Sequence, residues 1–522
     1  MADGLARTFS VLSKTDNASA VRVLLPALDS TYPAIQEGAL TALLERRSPS
    51  GQDEIIRRIP SLGQRWKQII HQRPGRLTAA MREAVLGSDE SQYANACTAA
   101  LMFGDFDLIP TLLIVLEDNA RARADVAAQT VLQLTAQLCD QLAHPDEVNA
   151  QRDLQSIRQH VASCLETSMQ RFGKHKRREV VEAFLMLAKP DSPAIGQILA
   201  NPHHVGYMVL INAMSRSQHD GIMRLLLDFF DDPQAPMPML NVAANRCDIK
   251  FIRSLLHKVD RNPSDVVLQN LKRMGNVAWL QNSPKVAADL DDDAQRSLVF
   301  FAMSLGIARP RVFSTIEHVL QRGKPSGRRE AARALAAFNG PDANQLSLKA
   351  LGDSDPQVQA NVIPHLRRRG IPGILQRLLL TLDSPHLVVR HAARRALSEF
   401  SFARFVGTFD MLDDDARKTT AAIVKKIDQH TVPLLREELQ AQAHSRRLRG
   451  LKIVQAMAVA PLVEETLIEM LGDEEDAVRA GAAGALAACP SPAVRTALEE
   501  AAQDRSPAVR GAATSSLKAL TT

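Results

Sequence analysis

The chain has 522 residues, of which 45% are hydrophobic, 23% charged and 4% aromatic, and its formal net charge is +5 at pH 7. This composition is typical of a folded protein and excludes a disordered, collagen-like or disulfide-dense chain. The mild positive charge permits an acidic or nucleic-acid partner without requiring one.

Residues 1–125 form the first predicted segment, in which a short phrase recurs. Pro33-Ala-Ile-Gln36 is followed by Leu43, and Tyr93-Ala94 is followed by Leu101, which lies 58 residues after Leu43. That distance leaves room for two units of about 30 residues, the length of one helical hairpin repeat. We therefore predict N-terminal helical repeats here.

Residues 126–300 form a second predicted segment, in which the repeat is degenerate. Residues that could occupy the same position in successive repeats, at intervals of 28 to 33 residues, fall near Arg178, Gly206, Met237, Asp265 and Arg296. The stretch 126–174 does not fit one unit, so we expect longer helices or an inserted loop there.

Residues 301–522 form the third predicted segment, which is closest to a consensus. Residues 471–486 read LGDEEDAVRAGAAGAL, and the Val-Arg pair and closing leucine recur 31 residues later. A fixed period in the 20–50 range marks a repeat architecture. We interpret the recurring positions as structural, with each arginine pairing with a turn aspartate of its own or the adjacent unit. These positions are Asp353, Arg390, Leu397, Asp473, Arg479, Leu486, Asp504, Arg510 and Leu517.

Each unit contains two amphipathic stretches of about a dozen residues, such as 462–471 and 477–488. Gly472 suits a helix end with positive φ, and Asp473 suits a cap for the following helix. One hairpin cannot cover its own apolar face, but stacked neighbours can. The expected fold class is all-α, an α-α superhelix of roughly fifteen helical hairpins.

The phrase Leu-x-Asp-x-x-x-x-Val-Arg-x-x-Ala-Ala-x-x-Leu of residues 471–486 resembles that of HEAT-repeat proteins, of the short bacterial sort similar to phycobilisome lyase subunits. The match is strong over about 325–400 and 460–520 and recognisable near 25–45. This resemblance implies a right-handed HEAT-repeat solenoid with second helices lining the concave face. It implies little about function, because such repeats serve unrelated roles.

No strong catalytic, phosphate-binding or metal-binding motif is present, so we expect no enzyme activity, no cofactor and no metal. The five cysteines are scattered, without C-x-x-C spacing, which favours a reducing compartment. The N-terminal residues lack the apolar core of a signal peptide, and the longest apolar run, 298–308, is too short to span a bilayer. A cytoplasmic protein without membrane contact is the expectation.

Basic clusters are the remaining functional signal, at 174–178, 367–369, 394–395, 425–426 and 446–449. Cations at helix ends are explained by the helix dipole alone. If second helices line the concave face, however, a subset would form a basic stripe suited to phosphates or an acidic protein segment. That subset is His391, Arg394, Arg395, Lys425 and Arg449.

Three functions follow from these observations. The first is a non-enzymatic scaffold or adaptor whose concave face holds a protein partner of unknown identity. The second is nucleic-acid binding through the basic stripe, although stacking aromatics are missing there. The third is a bilin lyase-like role, which only the resemblance suggests. The sequence gives no oligomeric state.

Overall fold

The computed structural model describes residues 2–118, 121–144, 153–260 and 262–521. Within these residues all regular secondary structure is helical, and the α-helices are joined by short turns and 3₁₀ segments. No helix in the described residues is long and apolar enough to cross a membrane. The predicted all-α solenoid of helical hairpins is confirmed at the level of these elements.

Twenty-one helices are described up to residue 322, and they give the following bounds. They are α1 (Ala2–Lys14), α2 (Ser19–Ala27), α3 (Pro33–Arg46), α4 (Pro49–Arg57), α5 (Gln64–His71), α6 (Thr78–Leu86), α7 (Glu90–Phe103), α8 (Ile109–Glu117), α9 (Arg121–Ala143), α10 (Leu154–Gln170), α11 (Phe172–His175), α12 (Arg178–Leu187), α13 (Pro193–Ala200), α14 (Tyr207–Arg216), α15 (Asp220–Asp228), α16 (Met237–Asn245), α17 (Ile249–Lys258), α18 (Asp265–Arg273), α19 (Ser283–Asp289), α20 (Asp292–Ser304) and α21 (Arg309–Arg322).

Thirteen further helices are described in the rest of the chain, and they hold the candidate site. They are α22 (Pro325–Ala334), α23 (Pro341–Ala350), α24 (Pro356–Leu366), α25 (Ile374–Thr381), α26 (Leu387–Ala396), α27 (Phe402–Thr408), α28 (Asp414–Ile427), α29 (Thr431–Leu439), α30 (His444–Met457), α31 (Glu464–Glu469), α32 (Asp476–Ala485), α33 (Pro492–Ala501) and α34 (Pro507–Thr521).

The helices group into two compact units. The first comprises Met1–Leu290 with Phe300–Val312, and the second comprises Asp291–Val299 with Phe313–Thr522. The three predicted segments, with boundaries at 125 and 300, stay a prediction.

The first unit contains long helices in the stretch that did not fit a single repeat. Helix α9 has 23 residues and α10 has 17. Residues 145–152 of this stretch lie outside the described part of the chain. Helices α7, α9, α12 and α15 pack in succession in this unit. The indole of Trp279 is buried in its core and stacks on Phe301 with ring centroids 5.4 Å apart.

The second unit is built from hairpins whose second helices are the even-numbered ones from α22 to α34. Their starts follow local chemistry, because proline occupies the first helical turn where a missing N–H costs nothing, as at Pro356 and Pro507. Carboxylates cap free N–H groups at the starts of α24 and α28: Asp355 accepts from the Gln357 amide, and Asp413 accepts from the Ala416 amide. These local signals define the hairpins, and burial of the apolar faces between neighbours holds them together.

Candidate functional site

An arginine–aspartate pair latches consecutive hairpins of the second unit. Nε and Nη2 of Arg479 lie 2.8 and 3.0 Å from the two carboxylate oxygens of Asp504, in the turn of the following hairpin. Nη1 donates to the carbonyls of Asp473 and Glu474, in the turn of its own hairpin. One guanidinium therefore ties two turns together, in the bidentate geometry that arginine favours.

Two other arginines repeat this arrangement. Arg447 lies 2.8 Å from Asp473 and donates to the carbonyl of Gln442 in its own turn. Arg328 lies 3.1 Å from Asp353 and donates to the carbonyl of Gly323. The partner is always the aspartate of the following hairpin. We call these three pairs the arginine latch.

The recurring leucines pack in the apolar core between the hairpins. Leu397 and Leu486 are buried, and Leu517 packs half-buried against the same apolar core as Leu486. Arg510 donates to the carbonyls of Asp504 and Arg505, which is the own-turn half of the latch.

The arginine latch leads to a prediction about how the stability of the protein depends on pH. Its hydrogen bond from Arg479, helped by the Ser506 amide, lowers the pKa of the Asp504 carboxyl. A carboxyl with a depressed folded-state pKa stabilises the fold above its unfolded pKa, near 3.9, and this contribution disappears as the pH falls through the folded value. Asp504→Asn should therefore lower Tm by several degrees at pH 7, and the Tm difference between the two proteins should disappear as the pH falls through the folded-state pKa of Asp504.

Thermal melts of both proteins between pH 2 and 8 test this expectation. Glu499→Gln removes an exposed carboxylate of the neighbouring helix α33 and serves as the control, with little change at any pH. A Tm difference for Asp504→Asn that stays constant down to pH 2 would contradict the role assigned to the ion pair.

The latch is interrupted in the middle of the unit. At the position of the latch arginine, α24 carries Gln359. In the following turn, the position that corresponds to Asp353 is Ser384. Arg390 donates to the carbonyls of Ser384 and Pro385 in its own turn, and no following-turn acid pairs with it among the described residues. Arg417 pairs only with Asp414 of its own helix, at 2.9 Å. Three successive steps between hairpins thus lack the latch.

A second feature marks the same region, at the position four residues after the latch position on each second helix. Side chains at i and i+4 lie on one helix face, so this position also points toward the next hairpin. In five second helices it holds an apolar residue that is at most 3% exposed: Ala332, Ile363, Ala421, Leu451 and Ala483. In α26 it holds Arg394. We call this the seam position.

Arg394 is half-buried at the seam. Its Nε is shielded from solvent and has no hydrogen-bond partner among the described residues. Leaving a buried charged donor unsatisfied is costly, because water has been removed from it and nothing has replaced it. A bound anion is one group that could satisfy this donor.

Packing is weak where Arg394 replaces the apolar seam residue. Helices α22, α24 and α26 pack side by side, and so do α28, α30, α32 and α34, whereas α26 and α28 barely touch. One continuous apolar core runs from Phe402 to Ala513 and leaves out the buried residues of α26. We call the boundary between these two helices the α26–α28 seam. An exposed ion pair still forms near the seam, between Lys426 of α28 and Asp383, which precedes α26, at 2.9 Å.

A groove of about 750 Å³ lies along α24 and α26, the helix that also carries Arg394. Its basic residues are Arg367, Arg368, His391 and Arg395, and its one lining acid, Glu399, is held by Arg367 at 2.8 Å. The other three basic side chains are exposed and pair with no acid among the described residues. The amides of Gln357 and Asn361 and the half-exposed Val388 complete its wall. We call it the basic groove.

Electrostatics at the end of α24 reflect this excess of positive charge. Burial, and then the neighbouring charges of Arg369 and Arg368, lower the pKa of His365. The positive charge of the groove itself comes from the guanidinium groups of Arg367, Arg368 and Arg395, which stay charged at any physiological pH.

The five residues of the predicted basic stripe have different environments. His391, Arg394 and Arg395 share helix α26, with His391 and Arg395 in the basic groove and Arg394 at the seam. Lys425 instead reaches the C-terminal carbonyls of α30, with Nζ 3.4 Å from the Met457 oxygen.

Arg449 is also engaged within the fold. It lies 3.3 Å from Glu438 and 3.9 Å from Asp410. Hydrogen bonds from Arg446 and then from Arg449 lower the pKa of the Glu438 carboxyl. Three of the five predicted residues therefore lie on α26, two of them in the basic groove, and the other two are engaged with other groups of the fold.

Sequence reasoning did not single out Arg368, Gln357 or Asn361 as groove residues. Arg368 lies within the basic cluster 367–369, at the C-terminal end of α24. Arg369 of this cluster does not serve its own helix end, because its guanidinium donates to the carbonyls of Leu335 and Phe338, just after α22. The special place of Arg394 could have been found by aligning the second helices on their Val-Arg pairs and comparing the residues four positions later.

A family model of HEAT repeats matches residues 302–398 and 454–522. The unmatched interval between them begins immediately after α26. No curated protein matches the chain.

Solved structures resemble the chain only distantly. One comes from work on the interaction between cadherin and β-catenin (12% identity, 96% of this chain and 98% of that chain, TM-score 0.35). Another is importin β (11% identity, 99% of this chain and 82% of that chain, TM-score 0.25). A third is human deoxyhypusine hydroxylase (17% identity, 57% of this chain and 96% of that chain, TM-score 0.18).

Proposed function

We propose that this chain, which carries HEAT repeats at 302–398 and 454–522, is a non-enzymatic scaffold that binds an acidic segment of a partner protein on the second helices of its C-terminal unit. The observation that carries the proposal is the basic groove. Its exposed basic side chains Arg368, His391 and Arg395 form no ion pair within the described fold, unlike the arginines of the latch.

The wall of the groove indicates the kind of partner. Guanidinium groups bind carboxylates with two parallel hydrogen bonds, and amides such as Gln357 and Asn361 can meet a peptide main chain. Val388 is 44% exposed and offers an apolar contact in the same groove. An acidic protein segment that also carries an apolar side chain matches all three features.

Photo-crosslinking in the native host tests this proposal. A benzoylphenylalanine is placed at Ala392, which lines the groove, and separately at Arg377, an exposed residue of the first helix α25. We expect a protein adduct from position 392 only, through a peptide rich in Asp and Glu. Equal adducts from both positions would refute a specific site in the groove.

Nucleic-acid binding is the second candidate, and the same excess of cations favours it. Nucleic-acid binding releases counterions, so the logarithm of the binding constant should fall linearly with the logarithm of the salt concentration. The slope should be about −1 for each phosphate contact. The groove lining contains no Trp, Tyr or Phe on which bases could stack. A bilin lyase-like activity rests only on the repeat phrase, and no observation at the site adds to it.

Charge reversal gives a quantitative prediction. Arg368→Glu with Arg395→Glu should weaken binding of a labelled octaglutamate peptide at least tenfold in low salt, because two attractive contacts become repulsive. The matched control, Arg377→Glu with Arg404→Glu, changes the net charge equally on the exposed faces of the first helices α25 and α27. Similar losses in both double variants, measured by fluorescence anisotropy, would show that only net charge matters.

A further inference from the structure

The α26–α28 seam is the place where the second unit departs most from its own repeat. It lacks the arginine latch, its apolar core is interrupted, and Arg394 stands where the other interior second helices carry a buried alanine, isoleucine or leucine. A repeat array is held together by the interfaces between neighbours, so a weak interface is where it opens.

Both helices of the seam carry more cations than acids. Helix α26 reads LVVRHAARRA and contains no acid. Helix α28 has acids only in its first turn, and Asp414 there is already paired with Arg417. Farther along α28, Lys425 reaches the carbonyls of α30 and Lys426 is paired with Asp383. An anion placed beside Arg394 would therefore supply a counter-charge that neither helix provides.

We propose that the seam is a carboxylate-binding site, in which an acidic side chain of the partner segment pairs with Arg394 and draws α28 against α26. This proposal rests on the proposed function and specifies how the ligand in the basic groove is held. The segment lies along α24 and α26, and its acid enters beside Arg394, where it satisfies the buried Nε. Binding and closure of the seam are then one event, since the ligand supplies the contact that other seams obtain from apolar packing.

The repeat itself provides the test variant. Arg394→Ala installs the residue that the seam positions of α22, α28 and α32 already have, so the free protein should become more stable and not less. The same variant should bind the octaglutamate peptide at least tenfold more weakly, because one charge-assisted contact is lost. Arg394→Lys keeps the charge and should bind within about threefold of the unchanged protein.

Hydrogen exchange reports the closure directly. In the unchanged full-length protein, octaglutamate should slow amide exchange in α26 and α28. In free Arg394→Ala, exchange in these helices should already be slower, and the peptide should change it little. Faster exchange or a lower Tm in free Arg394→Ala would overturn the proposal, because the arginine would then be a structural contact.

The binding data separate this inference from the proposed function. If Arg368→Glu with Arg395→Glu abolishes peptide binding and Arg394→Ala does not, the groove stands as the binding site and the seam proposal fails. If neither variant changes peptide binding, both fail. An oligonucleotide with the same charge as the peptide provides the last comparison. If it binds more tightly than the peptide and its binding depends on Arg394 in the same way, the occupant of the seam is not a protein carboxylate and the proposal is overturned.

Discussion

Ala483→Arg is expected to destabilise the packing of α34 against α32 by about 3–5 kcal/mol. Ala483 is fully buried at the seam position of α32, and its carbonyl accepts a hydrogen bond from the Ser516 hydroxyl at 2.8 Å. An arginine there must either bury an unpaired charge or push the two helices apart. The variant therefore places an arginine, as α26 has at its seam position, in the well-packed interface between α32 and α34.

Amide exchange of α34 measures this effect, because local opening of one hairpin raises exchange there without global unfolding. Ala477→Arg adds the same side chain at an exposed position of the same helix and should change exchange little. If Ala483→Arg left α34 as protected as before, an arginine at the seam would not weaken packing, and the explanation offered for the α26–α28 seam would fall.

Asp473→Ala is expected to reduce the free energy of unfolding of the C-terminal hairpins by about 2–4 kcal/mol. The carboxylate of Asp473 lies 2.8 Å from the guanidinium of Arg447, and both side chains are at most 15% exposed. It also accepts the amide N–H of Glu475, just before α32 begins. Its removal leaves Arg447 without its acid and loses a turn hydrogen bond at once.

Asp383→Ala is the matched comparison, because the ion pair of Asp383 with Lys426 is more than half exposed at both ends. Such a pair contributes about 0.5 kcal/mol or less in water. Urea denaturation of both variants distinguishes a latch from an ordinary surface pair. Equal losses in the two proteins would mean that the latch adds nothing beyond surface electrostatics.

These expectations connect stability with the proposed binding role. Hairpins at α22–α24 and α30–α34 are latched by Arg328, Arg447 and Arg479, and the interval between them carries the basic groove and the open seam. Binding residues need not stabilise the free protein, and here they lie where stabilising contacts are missing.

The sequence by itself determined the helical hairpins. A period near 31 residues, apolar positions at helical spacing and turn residues such as Gly472 and Asp473 act locally, so they could be read without knowing what packs against them. The burial of Leu397 and Leu486 follows from the same periodicity. The recurrence of the Val-Arg pair likewise predicted that its arginine belongs to the fold.

Only the tertiary structure decided which cations have partners. Arg479 finds its acid 25 residues later, on the next hairpin, while Lys425 finds backbone carbonyls of α30. Arg394 and Arg395 are adjacent in the chain, yet one lies at a packing seam and the other in an open groove. A basic residue has the same sequence signature in each case. Its role depends on which groups from other hairpins come within about 3 Å, and the spacing of charges along one helix does not contain that information.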